Sequence, residues 1–366
     1  MFEGLLMDKF FSIAPVKQEP FIITWDLGRR CNYDCSYCPP HRHDNFSSHA
    51  SLDELKDTTE FLFEYISTIA AHRKYKDFHV SFTGGEPTVN PNFIEFTKYI
   101  RQRYNESFSS RFNIFFDLTT NGAMSEKIAA SVIENFHHVT VSYHPEAAPV
   151  LKQQVLDRIR QFKDSKIIIK VNVMFHAEMF DECKEFCNAL TNEGVKFIPR
   201  TIGENPEKIS RFSHSYSEEQ KQWFKDFWKI DIQPGMRPCC GGRPMSLCSS
   251  SGTVESKVVN FREFQGWHCS VNWYFLHIEQ QTKLIYHHQT CQATLDGKRG
   301  SIGDLDNWKL LVDSLKEKLA QKSMPIVVCP NRLCGCGLCT PKSVDRDVLV
   351  TSMSFVLNDT EVFSKS

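Results

Sequence analysis

The sequence predicts an α/β protein built on a parallel sheet, and three observations point there. Over roughly the first 200 residues, short apolar runs rich in β-branched and aromatic residues alternate with stretches whose apolar residues recur at helical spacing. The alternation repeats until six strands have been laid down, as successive right-handed crossovers require. Polar residues and glycines gather at the ends of those strands, where parallel sheets place their chemistry.

Taken in order, residues 21–27 form the first strand and run into Cys31-Asn-Tyr-Asp-Cys35-Ser-Tyr-Cys38. Ser51-Leu-Asp-Glu54 is a capping box, and Leu55, Phe61, Leu62, Tyr65 and Ile66 follow it at helical spacing. Residues 78–83 form the second strand and end in Gly84-Gly85-Glu86-Pro87. A helix over 92–104 leads to a third strand, 112–118, ending in Thr120-Asn121-Gly122. Helices over 125–135, 150–162 and 182–191 then alternate with strands over 138–143, 166–174 and 195–200. Six units are too few for a closed eight-unit barrel, so a partial barrel and an open doubly wound sheet compete. Either fold brings the Cys loop, Gly84-Gly85-Glu86, Thr120, Asn121, Ser142 and Arg200 to the carboxyl ends of the strands.

The rhythm breaks after Thr201. A helix near 217–228 precedes an irregular Gly-, Pro-, Ser- and Cys-rich stretch up to about Gly266. Residues 273–278 and 283–286 read as a hairpin, and 305–320 as a helix. This half shows no long apolar run to build a large core, and a metal staple would account for its order.

With 41% hydrophobic and 24% charged residues and a net charge of -1, the chain reads as an ordinary globular protein with no basic footprint for nucleic acid. Glu3 and Asp8 interrupt the apolar N-terminus, which therefore does not read as a secretion signal, and no stretch is long enough to span a bilayer. A cytoplasmic chain is expected. There its 14 cysteines serve metals or catalysis rather than disulfides. They cluster: three in 31–38, two at Cys183 and Cys187, and nine between Cys239 and Cys339.

Three thiols within eight residues can hold three irons of a [4Fe–4S] cluster and leave the fourth open to a small molecule. A zinc site is the alternative, with His41 or His43 as fourth ligand. The pair Gly84-Gly85 would let a ligand approach the backbone closely, and the Glu86 carboxylate beside it can accept from an ammonium group.

Cys-x3-Cys-x2-Cys after the first strand, with Gly-Gly-Glu-Pro after the second, resembles the radical S-adenosylmethionine (SAM) superfamily over residues 20–200. The resemblance implies a partial (β/α)6 TIM-like barrel and a [4Fe–4S] cluster on Cys31, Cys35 and Cys38. It also implies SAM on the open iron, its amino group held by Glu86 and the Gly84–Gly85 backbone, beside Pro87. Ser142 would contact the ribose, Thr120 and Asn121 would line the same cavity, and Tyr37 would meet the adenine. Val171, Val173 and Glu178 fit the family's adenine motif, in which Phe175 stands for a glycine. His144 and His176 are weak catalytic candidates, and Arg200 is a further cofactor contact.

The later cysteines resemble the auxiliary iron–sulfur extensions called twitch and SPASM domains. That implies one or two auxiliary clusters on Cys269, Cys291, Cys329, Cys334, Cys336 and Cys339, with Cys239, Cys240 and Cys248 in reserve. Here the glycine expected in the hairpin turn is replaced by Lys283-Leu-Ile-Tyr. Zinc suits the same spacing. The resulting layout is a lead-in at 1–19, a core barrel at 20–205, a bridge at 206–265, a smaller cysteine-rich iron–sulfur domain at 266–345 and a tail at 346–366. Relatives with such extensions mostly modify ribosomal peptides or protein side chains, so a peptide substrate is expected, with a small molecule as the alternative. An electron donor such as flavodoxin or ferredoxin is implied, and neither nucleic acid nor membrane is expected as a partner. A non-catalytic metal-binding module is the reading from outside enzymology. Cys183 and Cys187 read as core residues, and His287-His288 point to opposite faces of a strand.

Overall fold

The computed structural model describes residues 10–11, 20–38, 41–202, 216–228, 264–291, 293–321, 323–331 and 340–358. After a short strand β1 (Phe10–Phe11), six parallel strands follow: β2 (Phe21–Asp26), β3 (Asp77–Thr83), β4 (Asn113–Thr120), β5 (His138–Tyr143), β6 (Ile168–Phe175) and β7 (Phe197–Thr201). Between and after them run α1 (Leu52–Ala70), α2 (Phe93–Ser107), α3 (Glu126–Asn135), α4 (Pro149–Lys163), α5 (Phe180–Asn192) and α6 (Glu218–Trp228). Consecutive strands lie side by side, so the sheet curls as a partial (β/α)6 TIM-like barrel rather than reversing as a doubly wound sheet does.

Strands β2 to β5 alternate strictly between buried and more exposed residues. Phe21, Ile23 and Trp25 of β2 and Phe78, Val80 and Phe82 of β3 are fully buried. They meet the helices: Trp25 and Phe82 both pack on Phe96 of α2, with ring centroids 5.3 and 5.8 Å away. The intervening residues are half-buried and face the concave interior. Most are polar, among them Thr24 and Asp26, His79 and Ser81, Asp117 and Thr119, His138 and Thr140, Lys170 and Asn172, with Ile22, Phe115 and Met174 as apolar exceptions. The helix starts follow local chemistry. Ser51 and Glu54 form the reciprocal cap of α1, and Ser125 caps α3.

Beyond α6, the described chain contains β8 (His268–Cys269), β9 (Phe275–Glu279), β10 (Leu284–Tyr286), β11 (Gly303–Asp304), α7 (Trp308–Ala320), β12 (Val327–Val328), β13 (Lys342–Ser343) and α8 (Arg346–Ser352). The expected hairpin is β9–β10, and it adds to the barrel sheet, with β9 parallel to β2 over Ile22 to Asp26. The sheet order is β11-β10-β9-β2-β3-β4-β5-β6-β7. A second sheet, β1-β13-β8-β12, ties the N-terminal strand to the cysteine-bearing segment.

The later half does build an apolar core. Trp273, Ile278, Ile285, Leu349, Val350, Met353, Val356 and Leu357 are fully buried, which corrects the expectation that this half has no large apolar core to account for its order. The runs that supply them are short, as at 273–276 and 348–350. Arg73, just past α1, is fully buried too; it donates to the Trp273 carbonyl and lies over the Phe21 and Tyr274 rings. Among the described residues no helix is long and apolar enough to cross a membrane.

Phe82 stands where four rings converge, those of Trp25, Phe96, Phe116 and Phe136. Phe82→Ala is expected to cost about 3–5 kcal/mol in equilibrium urea unfolding. A cost below about 1 kcal/mol would mean that this core closes over the gap.

Candidate functional site

The site begins where β2 and β3 end. Past the regular ladder their backbones stay joined: Leu27 N donates to Thr83 O, Gly85 N to Gly28 O and Glu86 N to Arg30 O, each at 2.8 Å. This is where the two glycines act. Gly84 has φ +129°, and a Cβ there would lie 2.4 Å from Gly28 O. A Cβ on Gly85 would lie 2.2 Å from Arg29 O and 2.5 Å from Arg30 O. Close approach was expected for a ligand, yet the backbone that comes close is that of the Cys loop itself. The loop is pinned from its other side as well, with Cys31 N donating to Asp44 O at 2.8 Å and Asp44 N to Arg29 O at 2.9 Å.

Glu86 is buried beneath this junction. Its Oε1 accepts from Thr88 N (3.0 Å), Thr88 Oγ1 (2.7 Å) and Thr120 Oγ1 (2.8 Å), and its Oε2 accepts from Asn121 N (2.6 Å). Burial pushes the Glu86 carboxyl up, and these four hydrogen bonds work against that shift by favouring the charged form. Oε2 keeps one lone-pair direction for a further donor. Asn121 in turn donates through Nδ2 to Asn32 Oδ1 at 2.6 Å and accepts at Oδ1 from Ala123 N at 3.0 Å. Thr120, Asn121 and Glu86, each expected at the cofactor, are thus joined to one another and to the Cys loop. Pro87 opens the turn that follows.

Cys35 is buried, and Cys31 and Cys38 are half-buried. Cys31 Sγ accepts from Tyr33 N at 3.4 Å and lies 3.9 Å from Asn121 Nδ2. Burial pushes the Cys31 thiol up to about 11 and the Cys35 thiol to about 12, each raised further by a neighbouring thiol. Thiols that raise one another suit a cationic cluster that would hold all three as thiolates. Among the described residues, the one group of three candidate ligand atoms within 4.8 Å of one another is that of Asp26, His277 and Glu279.

Tyr37 and His144 stack at 5.9 Å, with the Tyr37 hydroxyl 2.7 Å from His144 Nδ1. That nitrogen is also 3.6 Å from Cys35 Sγ. Burial pushes His144 down to about 4, so near neutrality it is uncharged, and its tautomer sets whether Nδ1 accepts from the Tyr37 hydroxyl or donates to it. His176 lies 3.6 Å from Glu146, whose carboxylate also accepts from Ser36 N at 2.7 Å and Ser36 Oγ at 2.6 Å. Both histidines therefore brace the second half of the Cys loop. Ser142 faces the interior, half-buried, its hydroxyl without a hydrogen-bond partner among the described residues. Arg200 donates through Nε to Asn172 Oδ1 at 3.3 Å. Val171, Val173 and Phe175 are fully buried on the helix-facing side of β6, and Glu178 lies within the turn Ala177–Met179 beyond it. Cys183 and Cys187 are core residues of α5, as expected.

Cys269, Cys291 and Cys329 are buried. The pairing of β8 with β12, continued by Cys329 N to Trp267 O at 2.8 Å, sets Cys269 and Cys329 on neighbouring strands. Cys334, Cys336 and Cys339, with Cys239, Cys240 and Cys248, lie outside the described residues. Lys283 occupies the hairpin turn with φ 57°, the left-handed conformation for which a glycine was expected. Among the described residues, His287 and His288 belong to no group of metal-ligating side chains.

Several interior groups were missed. Asp26, His277 and Glu279 meet where β2 and β9 end, with His277 Nε2 3.8 Å from Asp26 Oδ2 and 3.4 Å from Glu279 Oε1. Asp117 lies 2.7 Å from His138 and 3.6 Å from His79. Lys170 stands nearby on β6. The legible signal was polar residues alternating with apolar ones along β2 to β5, which was used to find strands and not to ask what the polar face would hold.

The family model described as the Radical SAM superfamily matches residues 25–209. A protein named "Probable GTP 3',8-cyclase" from Saccharolobus solfataricus is 20% identical over 221 residues, 58% of this chain and 66% of that protein, just under two thirds of its length. The solved structure of histidine-tagged anSMEcpe with bound AdoMet superposes with a TM-score of 0.50 at 15% identity, over 80% of this chain and 77% of that one. "Native anSMEcpe with bound AdoMet and Cp18Cys peptide" gives 0.49 at 16% identity, over 82% of each chain. At these identities the likeness is one of fold.

Two substitutions test the junction. Gly85→Ala should prevent the Cys loop from docking on β3, and anaerobically reconstituted protein should lose most of its iron while α1–α5 keep their circular dichroism. Glu86→Gln places an amide among four donors, and should cost about 1–3 kcal/mol in urea unfolding even without SAM. A Gln variant as stable as the parent would mean that Glu86 does not brace the loop.

Proposed function

Because the chain belongs to the radical SAM superfamily, we propose that it binds a [4Fe–4S] cluster through Cys31, Cys35 and Cys38 and uses it to cleave SAM reductively. The observation that carries this reading is the Gly84-Gly85-Glu86 junction, which holds the three-thiol loop on the end of β3 at backbone contact. When bound, cluster and cofactor supply one-electron cleavage of the sulfonium and a 5′-deoxyadenosyl radical that takes a hydrogen atom from substrate.

The residues of the chain orient and shield. Glu86 Oε2 accepts a hydrogen bond from the SAM ammonium in its remaining direction, beside the Gly84–Gly85 backbone. The Ser142 hydroxyl meets the ribose. Tyr37 is held by His144 against the loop, where its ring contacts the adenine, and Glu146 with His176 keeps the loop from opening to water. Arg200, in register with Met174, lies two residues closer to the carboxyl ends of the strands than the Ser142–Asn172 pair, and its side chain leans back to Asn172.

For the substrate, we propose a ribosomal peptide or protein side chain. The feature in favour is the hairpin framed by Cys269 and Cys291, with its left-handed turn residue, which resembles a twitch-type extension carrying an auxiliary cluster with Cys329, Cys334, Cys336 and Cys339. The second reading is a small molecule, and the polar interior of the barrel favours it. An external one-electron donor of flavodoxin or ferredoxin type completes either scheme. The proposed layout remains a core barrel over 20–205 and an auxiliary domain over 266–345.

Anaerobic reconstitution followed by iron and sulfide counting, then dithionite and SAM, tests this. About eight irons per chain with 5′-deoxyadenosine formed would support both the radical chemistry and an auxiliary cluster. The Cys31, Cys35 and Cys38 to Ala variant should lose about four irons and all cleavage. Zinc in place of iron, with SAM intact, would leave only a metal-binding scaffold.

A further inference from the structure

We propose that Asp26, His277 and Glu279 form a divalent metal site in the barrel interior, where β2 and β9 end. The site stands apart from the three-thiol loop and does not depend on the radical SAM reading.

Strand pairing assembles the three side chains. β9 runs parallel to β2, with His277 in register with Thr24 and Glu279 with Asp26. Trp25 and Ile278, in register between them, are fully buried on the helix-facing side, so Asp26, His277 and Glu279 share the concave side. The end of the pairing is clamped: Gln280 N donates to Asp26 O at 2.9 Å, and Trp25 Nε1 to Gln280 Oε1 at 3.1 Å. All three groups therefore stem from paired strands, which place ligands more firmly than a loop does.

Their spacing suits an ion. His277 Nε2 lies 3.4 Å from Glu279 Oε1 and 3.8 Å from Asp26 Oδ2, and one ligand atom from each residue falls within 4.8 Å of the other two. Hydrogen bonds cluster near about 2.9 Å, and these separations are long for them. Ligand atoms held about 2.0–2.2 Å from one ion stand about 2.8–3.6 Å apart, so small side-chain shifts close the set.

The surroundings leave the right atoms available. His277 is fully buried, and its Nδ1 has no partner among the described residues, so Nε2 is the atom it turns to the two carboxylates. Asp26 Oδ1 is buried and likewise without a hydrogen-bond partner among the described residues. Glu279 Oε2 accepts from Thr282 Oγ1 at 2.9 Å, which orients the carboxylate and leaves Oε1 for an ion. Among the described residues, no lysine or arginine forms an ion pair with either acid; Arg42 and Arg29 act on them only from longer range. Other half-buried acids are matched: Glu182 meets Lys152 at 2.6 Å and Glu60 meets Arg103 at 2.9 Å. Burial pushes the Asp26 carboxyl up, against His277 and Arg42, and the Glu279 charge adds to the rise. A divalent ion offsets both the burial of these charges and their repulsion.

One imidazole and two carboxylates suit Mn2+, Fe2+ or Zn2+. The Asp26 and Glu279 side chains remain 24% and 32% exposed on the concave side. Three protein ligands leave a position open there, which an oxygen of the substrate can take.

The test uses cluster-loaded protein, washed with EDTA and returned anaerobically to chelator-free buffer, with MnCl2 as probe. Loss of the free-ion electron paramagnetic resonance signal should show one Mn2+ bound saturably per chain. Asp26→Asn and Glu279→Gln keep the shape and remove a charge, and each should weaken binding about tenfold or more. The exposed Glu134→Gln should change nothing. Excess Mn2+ should raise the melting temperature of the parent by a few degrees and leave that of the Asp26→Asn, Glu279→Gln double variant unmoved. His277→Gln should weaken binding as well; if it fails to fold, the two carboxylate variants decide. The proposal is overturned if Mn2+ does not saturate, or if the double variant binds it unchanged. It also falls if ethylammonium chloride binds at these carboxylates and Mn2+ does not, which would make the pair a site for an organic cation. 5′-Deoxyadenosine measured on the same preparation is a separate readout, whose loss removes the proposed function and leaves the metal result standing.

Discussion

The candidate site depends on one backbone contact, the approach of residues 28–30 to Gly84, Gly85 and Glu86. Three hydrogen bonds of 2.8 Å extend the β2–β3 pairing past the last regular residue, so the Cys loop leaves the sheet in a defined direction. Side chains are excluded from that junction by distances of 2.2–2.6 Å to backbone atoms, which no rotamer change could relieve. Beneath it, Glu86 gathers Thr88, Thr120 and Asn121, and Asn121 passes the constraint to Asn32 inside the loop. A loop of small and polar residues would otherwise be mobile, and here it is fixed from below by a buried carboxylate and from one side by Asp44.

The barrel divides its labour by face. The helix-facing side is almost wholly aromatic and aliphatic, with Trp25, Phe82, Phe96, Phe116 and Phe136 in one continuous ring cluster. The concave side carries titratable groups that burial and mutual contact hold away from their ordinary behaviour. Asp117 and Asp26 are both pushed up by burial, against the histidines beside them. Maintaining so polar an interior is costly unless something is bound there.

The later segment is joined to the barrel through shared structure. β9 takes the open side of β2, and Arg73 links α1 to the Trp273 backbone. The hairpin accepts a left-handed Lys283, which its ion pairs to Asp306 at 2.9 Å and Glu54 at 3.6 Å help to hold. Where the twitch resemblance expects glycine, a charged residue does the turn by being tied down at its far end.

Periodicity alone determined the strand and helix order of residues 21–201, because apolar residues at intervals of two and near 3.6 leave few alternatives once every element must bury one face. The Cys-x3-Cys-x2-Cys and Gly-Gly-Glu-Pro spacings likewise marked the site by themselves, since each constrains neighbours close in sequence. The tertiary structure alone decided what lies between distant segments. It showed that the glycines serve the Cys loop and that β9 pairs with β2 across some 250 residues of chain. Hydrogen-bond partners and charge balance are set by which strands become neighbours, and a linear pattern carries no record of that.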